Sequence, residues 1–409
     1  MQRSLISRCT GISLSPLAWS CAAAMLASTL YDATGSPSLF PASLIQTGAD
    51  LDAMTFADFT GDGAPEIAAV NALSNQVEIY INNDSGDLDA DGDTDLVLVS
   101  VLRDADDITV LLNNGNGEFI ETGTYGKRNT CVAIALSDID GNGTLDAVLA
   151  YAPTTELGVL LNDGAGSFTE GETIPIIGPP RAVALADLNG DTRPDAMVAH
   201  ADTDGVSVFM NNGNGTFANT ITVESGDDPV DIIAGDLDLD GDNDAVVTTR
   251  QGNTISILEN DGTGLLTPAA ILQAGDAPVR TELFDLNGDG RLDIATLSRA
   301  DHELGVWFGL GGLDYSDRFR FWGGSAPIDL AIGLADNDNI ADAVILNAGR
   351  PNITLLRGAP RGVLASPVNV TIPLLPYEMT LGDVDGDGDI DIATAQAFFD
   401  SVQLLINNG

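Results

Sequence analysis

The chain has 409 residues, 44% of them apolar, which is ample for a core and long enough for more than one domain. Its 61 acidic residues against 16 basic ones leave a net charge of −45, a field that repels nucleic acid and anionic lipid and disfavours both as partners. So much acid points to bound divalent cations or to saline surroundings, and its placement along the chain bears on which.

In chain order, the first segment differs from the rest. Arg3 and Arg8 precede a moderately apolar stretch from Ile12 to Leu30, interrupted by Pro16 and several serines, with small residues from Ala22 to Ala27. This pattern predicts a secretory signal peptide and short linker over residues 1–36, and hence export, with residues 37–409 as one further unit. No later segment reaches the roughly 18 uncharged apolar residues of a membrane helix. Cys9 and Cys21 fall in the leader. Cys131, alone in the body and set in the run Cys131–Leu136, reads as a small buried hydrophobe. Only His200 and His302 are available to activate a thiol.

Beyond the leader, Leu39 to Thr47 and Leu51 to Phe56 have strand character, and an acidic string begins at Asp58. A second begins at Asp87. From Asp138 a pattern of the type Asp-x-Asp/Asn-Gly-Asp/Asn-Gly-x-x-Asp recurs at 187, 236, 285 and 383, with a degenerate copy at Leu334, always in steps of 49 residues. A second marker keeps the same step: Asn113–Phe119, Asn162–Phe168, Asn211–Phe217, Asn260–Gly264 and Asn407–Gly409, fading at Gly309 and Gly358. Within one period four short runs are legible: Ala182–Ala186, Ala196–Ala199, Val206–Met210 and Phe217–Val223. Each is apolar or β-branched and bounded by Gly, Asn or Asp, and none has helical periodicity.

Four short strands per repeat, repeated about seven times, predict an all-β propeller of four-stranded blades. The chain ends on Val402–Gly409, the third strand of a blade without its fourth, so Leu39–Thr47 is expected to supply the missing outer strand and protect the open edge. The step from Asp58 to Asp87 is only 29 residues, 20 short of a period. Seven blades is the preferred count, with eight, one of them reduced, as the alternative.

In the string Asp285-Leu-Asn287-Gly-Asp289-Gly290-Arg-Leu-Asp293, side-chain oxygens at positions 1, 3, 5 and 9 alternate with residues that point away, and glycine at position 6 permits a sharp turn. Hard oxygen donors in this number suit calcium. Six strings qualify. In chain order their ligands would be Asp87, Asp89, Asp91 and Asp95; Asp138, Asp140, Asn142 and Asp146; and Asp187, Asn189, Asp191 and Asp195. The other three sets are Asp236, Asp238, Asp240 and Asp244; Asp285, Asn287, Asp289 and Asp293; and Asp383, Asp385, Asp387 and Asp391. About six calcium sites are expected, up to eight if two poorer strings are counted. Those are Asp58, Thr60, Asp62 and Glu66, which is weaker, and Asp336, Asp338 and Asp342, which is degenerate. Position 12 is apolar, as at Leu149 and Val198, which argues against EF-hands. The competing reading is a set of Asx-turns without metal; like-charge repulsion among the carboxylates weighs against it.

The paired acidic and Asn-Asn-Gly-x-Gly-x-Phe periodicities resemble the FG-GAP/VCBS repeat proteins, which include the propellers of integrin α-subunits, over roughly residues 50–409. The resemblance implies extracellular placement, structural calcium on one face, and recognition of a partner on the opposite face or between blades. A secreted or cell-surface binding module for a protein or glycan is therefore expected, with a structural extracellular component or a polysaccharide-active enzyme as alternatives. No nucleophile–base pair stands out, so no catalytic role is expected. One stretch departs from the repeat, Trp307-Phe-Gly-Leu-Gly-Gly-Leu-Asp-Tyr315-Ser-Asp-Arg318-Phe-Arg320-Phe-Trp322. Its Trp, Tyr and Arg are residue types that stack on sugars or anchor protein interfaces; the bland reading is aromatic filling between blades.

Overall fold

The computed structural model describes residues 131–152, 154–163, 167–335, 340–372, 376–382, 390–396 and 401–407, together with strands at 40–46, 51–57, 66–71, 76–80, 96–100, 108–113 and 119–125. The leader expected at 1–36 lies outside the described residues. Among the described residues every regular element is a strand, arranged as six four-stranded sheets, one six-stranded sheet and two short two-stranded ribbons.

The repeat containing Asp187 shows how a blade is built. Pro180–Ala186, Asp195–His200, Gly205–Asn211 and Phe217–Glu224 pair in sequence order, each antiparallel to the last. The next blades follow the same plan at 229–273, 278–322 and 327–371, and the one before it at 131–175. Proline opens four of these first strands, at Pro180, Pro229, Pro278 and Pro327, where the ladder shifts register and no backbone donor is needed. The second strands, such as Asp195–His200 and Asp244–Thr249, are buried along their whole length because a neighbouring sheet covers each face. The core is accordingly apolar packing between successive sheets: Val148, Leu157 and Val159 of one blade meet Ala196, Val198 and Phe209 of the next.

The expectation about the outer strand of the last sheet is met. Phe40–Gln46 pairs antiparallel with Ser401–Ile406, and so serves as outer strand of the last sheet. First strands lie side by side from 131–137 through to 376–382, and 51–57 packs beside 376–382. The short step after Asp58 has an equally clear consequence. Strand 66–71 runs parallel to 96–100, merging 51–57, 66–71 and 76–80 with 96–100, 108–113 and 119–125 into the six-stranded sheet. In that sheet the strands of residues 51–80 join those of 96–125 and do not form a separate four-stranded blade. The 20 residues missing there would have supplied the outer and inner strands that keep two blades apart.

Candidate metal centre

Antiparallel pairing puts the first-to-second and third-to-outer turns at one end of each sheet, and the remaining turns at the other. The described acidic strings therefore gather at one end. Four are described in full, those beginning at Asp138, Asp187, Asp236 and Asp285. Of the other expected ligands, Asp87, Asp89, Asp91 and Asp95 lie outside the described residues, and so do Asp383, Asp385 and Asp387. The poorer strings fare alike: Asp58, Thr60 and Asp62, and likewise Asp336 and Asp338, lie outside the described residues. Asp391, Glu66 and Asp342 are described, and each opens a second strand.

Position 1 anchors the turn. Asp138 Oδ1 accepts from the backbone N–H groups of Gly141 and Asn142, at 2.7 and 3.0 Å, and Oδ2 from Gly143. Asp187 and Asp285 repeat the arrangement. To wrap around position 1, the backbone becomes left-handed at positions 4 and 6. Gly288 and Gly290 do this freely, but Thr192 and Leu239 adopt φ of 69° and 65° with full side chains. The expectation of glycine at position 6 is thus not met at Thr192, and that turn is held against local strain.

Position 3 makes a local bond whether it is aspartate or asparagine: Asp140 and Asp238 Oδ1 accept from the N–H of position 5 at 3.0 and 3.1 Å. Asn189 was expected to offer its oxygen to an ion. Asn189 Oδ1 likewise accepts from the N–H of Asp191 at 3.0 Å, and its Nδ2 faces Met210 Sδ at 3.6 Å. Asn287 turns its Nδ2 toward both oxygens of Asp293, at 3.4 Å each. An amide, unlike a carboxylate, carries its own donor and so can bond a neighbouring carboxylate directly.

Position 9 has a different job. The carboxylates of Asp146, Asp195, Asp244 and Asp293 are fully or almost fully buried. In each, Oδ2 accepts from the N–H at position 2, and Oδ1 from the N–H just past the third strand or at its end: Asn162, Asn211, Asn260 or Gly309. Burial pushes the carboxyls of Asp146, Asp244 and Asp293 up to about 6, although those N–H donors pull the other way. The residue read from the sequence as closing the ligand shell is first a pin between two strands and a turn.

The second repeat marker completes the device. Asn211 Nδ2 donates to the carbonyl of Ile139, Asn260 Nδ2 to that of Leu188, and Asn407 Nδ2 to that of Ala335, each 72 residues back in the preceding blade's turn. The acidic and asparagine markers share one period because they are bonded to one another and across the blade boundary.

The ion-binding capacity differs between turns. Carboxylate oxygens of Asp138, Asp140 and Asp146 lie within 4.8 Å of one another, as do those of Asp236, Asp238 and Asp240. Asp236 Oδ1 is buried without a hydrogen-bond partner. Burial and the neighbouring carboxylates together raise the Asp238 carboxyl. An all-oxygen set of crowded carboxylates with an orphaned, buried oxygen fits a hard divalent cation. In the other two turns an arginine at position 7 intervenes: Arg193 pairs with Asp191, and Arg291 with Asp289 at 3.2 Å. The sequence ranked the six strings alike; the arginines separate these two from the rest.

Away from the turns, a second charged group lies on the first strands. Arg280 reaches Asp231 at 3.9 Å, Glu282 at 3.5 Å and Asp329 at 3.7 Å. Asp231 also accepts from Thr281 N–H, and Asp329 from Met379 N–H, each on the next blade. Burial drives the Glu282 carboxyl up to about 7, with Arg280 opposing and Asp231 and Asp329 reinforcing the shift. His200 and Ser207 lie 2.8 Å apart, a nucleophile–base distance, but both are completely buried and Ser207 continues to Thr222, so they form a clasp across three strands. Cys131 is buried, as its apolar context predicts.

The chain matches the FG-GAP-like repeat model over residues 87–149, 138–198, 187–247, 236–296 and 335–394. No curated protein matches the chain. Among solved structures it is similar to BBS1N, crystallised in complex with ARL6DN and soaked with lead, at 11% identity and a TM-score of 0.61, covering 91% of this chain and 97% of that one. It is similar to a functionally unknown protein from Desulfotomaculum acetoxidans DSM 771, at 14% identity and TM-score 0.51, covering 85% and 100%. It is also similar to catalytically inactive H270A virginiamycin B lyase from Staphylococcus aureus with quinupristin, at 15% identity and TM-score 0.51, covering 90% and 98%. These likenesses concern the fold alone. With repeat matches covering well over half its length and the blades they demand laid out in the structure, the chain belongs to the FG-GAP-like repeat family and is a β-propeller protein.

Proposed function

We propose that this propeller is an exported, calcium-stabilised binding module that presents a rigid surface to a protein or glycan partner. The observation that carries it is the pair of turns in which three carboxylates converge within 4.8 Å, one with an orphaned buried oxygen. Asp138, Asp140, Asn142 and Asp146, and Asp236, Asp238, Asp240 and Asp244, would hold the ions, with the corresponding residues of the other strings as weaker sites. Bound calcium would neutralise each turn and fix it on the buried pin at position 9. A rigid array of sheets whose polar chemistry is spent on holding its own turns together suits binding better than turnover. The protein partner of the BBS1 propeller is in keeping with a binding role, while the lyase neighbour keeps an enzymatic role in play.

Ion analysis and calorimetry on the purified chain test the reading directly. An ion bound only by the folded state stabilises it by mass action, by about 1.4 kcal/mol per site at calcium ten times the dissociation constant. Chelation should lower the melting temperature, calcium should restore it, magnesium should do so poorly, and sodium chloride at equal ionic strength should not. Identical melting with and without chelator would sink the calcium reading. Sequencing of the mature N-terminus, expected between about residues 24 and 37, tests export.

A further inference from the structure

At the end of the blades opposite the acidic turns, one blade carries a group of residues that its neighbours lack. Trp322 closes the outer strand Phe319–Trp322 and is 56% exposed. It pairs in register with Glu303, and Arg320 pairs with Gly305, so these side chains share one face of the sheet. Arg320 is 64% exposed and holds Glu303 Oε2 at 3.6 Å. Glu303 is only 8% exposed and is gripped on its other oxygen by Arg318 Nε at 3.3 Å. Arg318 in turn stacks over the buried Trp307 at 6.0 Å.

The arrangement requires several coordinated departures from the repeat. Where Gly305 stands, three other blades have Ser207, Ser256 or Thr354, which hydrogen-bond to their surroundings, while the blade at 131–175 has Gly158. A Cβ at Gly305 would meet Trp307 at 3.0 Å and Arg318 at 3.1 Å, so the missing side chain makes room for the stack. His302 packs its ring against Trp322, with centroids 5.7 Å apart. Its Nδ1 accepts from Ala326 N–H at 2.9 Å, which leaves the proton on Nε2, and its carbonyl accepts from Gly323 N–H at 2.8 Å. The exposed indole therefore packs against a donor-bearing imidazole, on the same sheet face as an exposed guanidinium that is paired with a buried carboxylate.

We propose that Trp322, Arg320 and His302 form a carbohydrate-binding surface that takes the apolar face of a neutral sugar ring on the indole and its hydroxyl groups on the flanking guanidinium and imidazole. An aromatic ring flanked by hydrogen-bond donors matches a pyranose, which has one C–H face and an equatorial belt of hydroxyls. The patch is a few side chains wide, far below the roughly 800 Å² that each partner contributes to a stable protein interface. The four-residue outer strand offers little edge for a peptide to pair with. The net charge of −45 selects a neutral glycan over a sulfated or uronate-rich one. This inference rests on the reading of the propeller as a binding module and specifies its ligand.

The test titrates calcium-loaded full-length protein with neutral hexasaccharides of glucose, mannose and N-acetylglucosamine, and with heparin and polygalacturonate, following tryptophan emission and heat. At least one neutral glycan should bind with a dissociation constant of about 1 mM or tighter. Trp322→Ala should weaken it about tenfold or more and abolish the emission change, since Trp307 is buried. Arg320→Ala should weaken it less, and Val368→Ala, on an exposed outer-strand position of the next blade, should leave binding unchanged. Circular dichroism and unaltered calcium-linked melting establish that each variant is folded. Binding by Trp322→Ala equal to that of the unaltered chain, binding only of the charged polymers, or no binding of any neutral glycan overturns the proposal. A protein partner lost on Trp322→Ala without any glycan binding also overturns it, yet leaves the binding-module reading standing. That reading fails separately, if the folded variants and the unaltered chain alike bind neither glycan nor protein.

Discussion

The turn that begins at Asp236 and the one that begins at Leu334 close on the same residue and differ in nearly everything before it. Asp244 and Asp342 are both buried, and both take two backbone donors: Leu237 at 3.1 Å and Asn260 at 2.9 Å in one blade, Ala335 at 2.9 Å and Gly358 at 2.6 Å in the other. Position 1, however, is a carboxylate with an orphaned oxygen in the first turn and a leucine in the second. The ninth-position aspartate thus survives where the first ligand has been lost. Its first duty is to pin the turn to the third strand, and on the proposed calcium reading the earlier positions would set the affinity for an ion.

That comparison can be broken. The largest expected effect is on the pin. Asp342→Ala leaves two buried N–H groups without acceptors, a loss of about 2–5 kcal/mol, and the loss should be the same with and without chelator. Denaturant unfolding under both conditions measures it. Asp244→Ala should cost a similar amount plus the contribution of its ion, so a purely calcium-dependent loss at either residue would refute the separation of roles.

The next effect separates the ligands themselves. Asp240→Ala should remove about 1 kcal/mol or more of calcium-dependent stability, whereas Asp336→Ala should change it little. Equal losses in calcium titrations followed by melting temperature would mean that the degenerate turn binds as well as the intact one.

Acidity supplies a calcium-independent reference against which both turns can be read. Glu282, whose charged partners Arg280, Asp231 and Asp329 lie on first strands and not in the turns, is raised by burial to about 7 from 4.5 for an ordinary glutamate. A carboxyl raised on folding keeps its proton in the folded chain. Its stabilising contribution is therefore complete below about pH 4.5 and lost as pH rises through about 7. Asp329, raised by burial to about 6, acts in the same direction. Glu282→Gln should flatten the fall in stability between these limits by about 1–3 kcal/mol, and should do so equally in calcium and in chelator. A flattening seen only in calcium would tie this cluster to the ion sites after all.

The smallest effect concerns backbone strain. Thr192 occupies a left-handed position that glycine fills at the equivalent Gly143, Gly241 and Gly290. Thr192→Gly should raise stability by about 1 kcal/mol, read from the melting temperature. Lower stability would show that the threonine side chain contributes more than its backbone costs.

Much of this was legible in the chain because repetition amplifies weak signals. A single short apolar run is ambiguous between strand and buried helix, but Ala182–Ala186, Ala196–Ala199 and Val206–Met210 recur in the same phase every 49 residues, and the observed strands extend each by one or two residues. The closing strand was also readable, since a blade ending on its third strand demands a fourth. The fate of the short step after Asp58 was not. Counting residues shows that strands are missing, whereas the sideways merger of 66–71 with 96–100 depends on which edges remain to be paired.

The sequence by itself therefore determined the fold class, the period, the acidic turns and the odd blade at 307–322, because each is a matter of residue type and spacing. Tertiary structure alone decided which oxygens of those turns are spoken for. Asp195 and Asp191 look alike in the string, but backbone donors from two strands converge on one and an arginine two residues away reaches the other. It likewise decided that Trp307 is core while Trp322 is surface, although both sit in the same aromatic run. The physical reason is that a side chain's partners come from neighbouring strands and the next blade, 16 or 72 residues away in the chain, and local pattern carries no record of them.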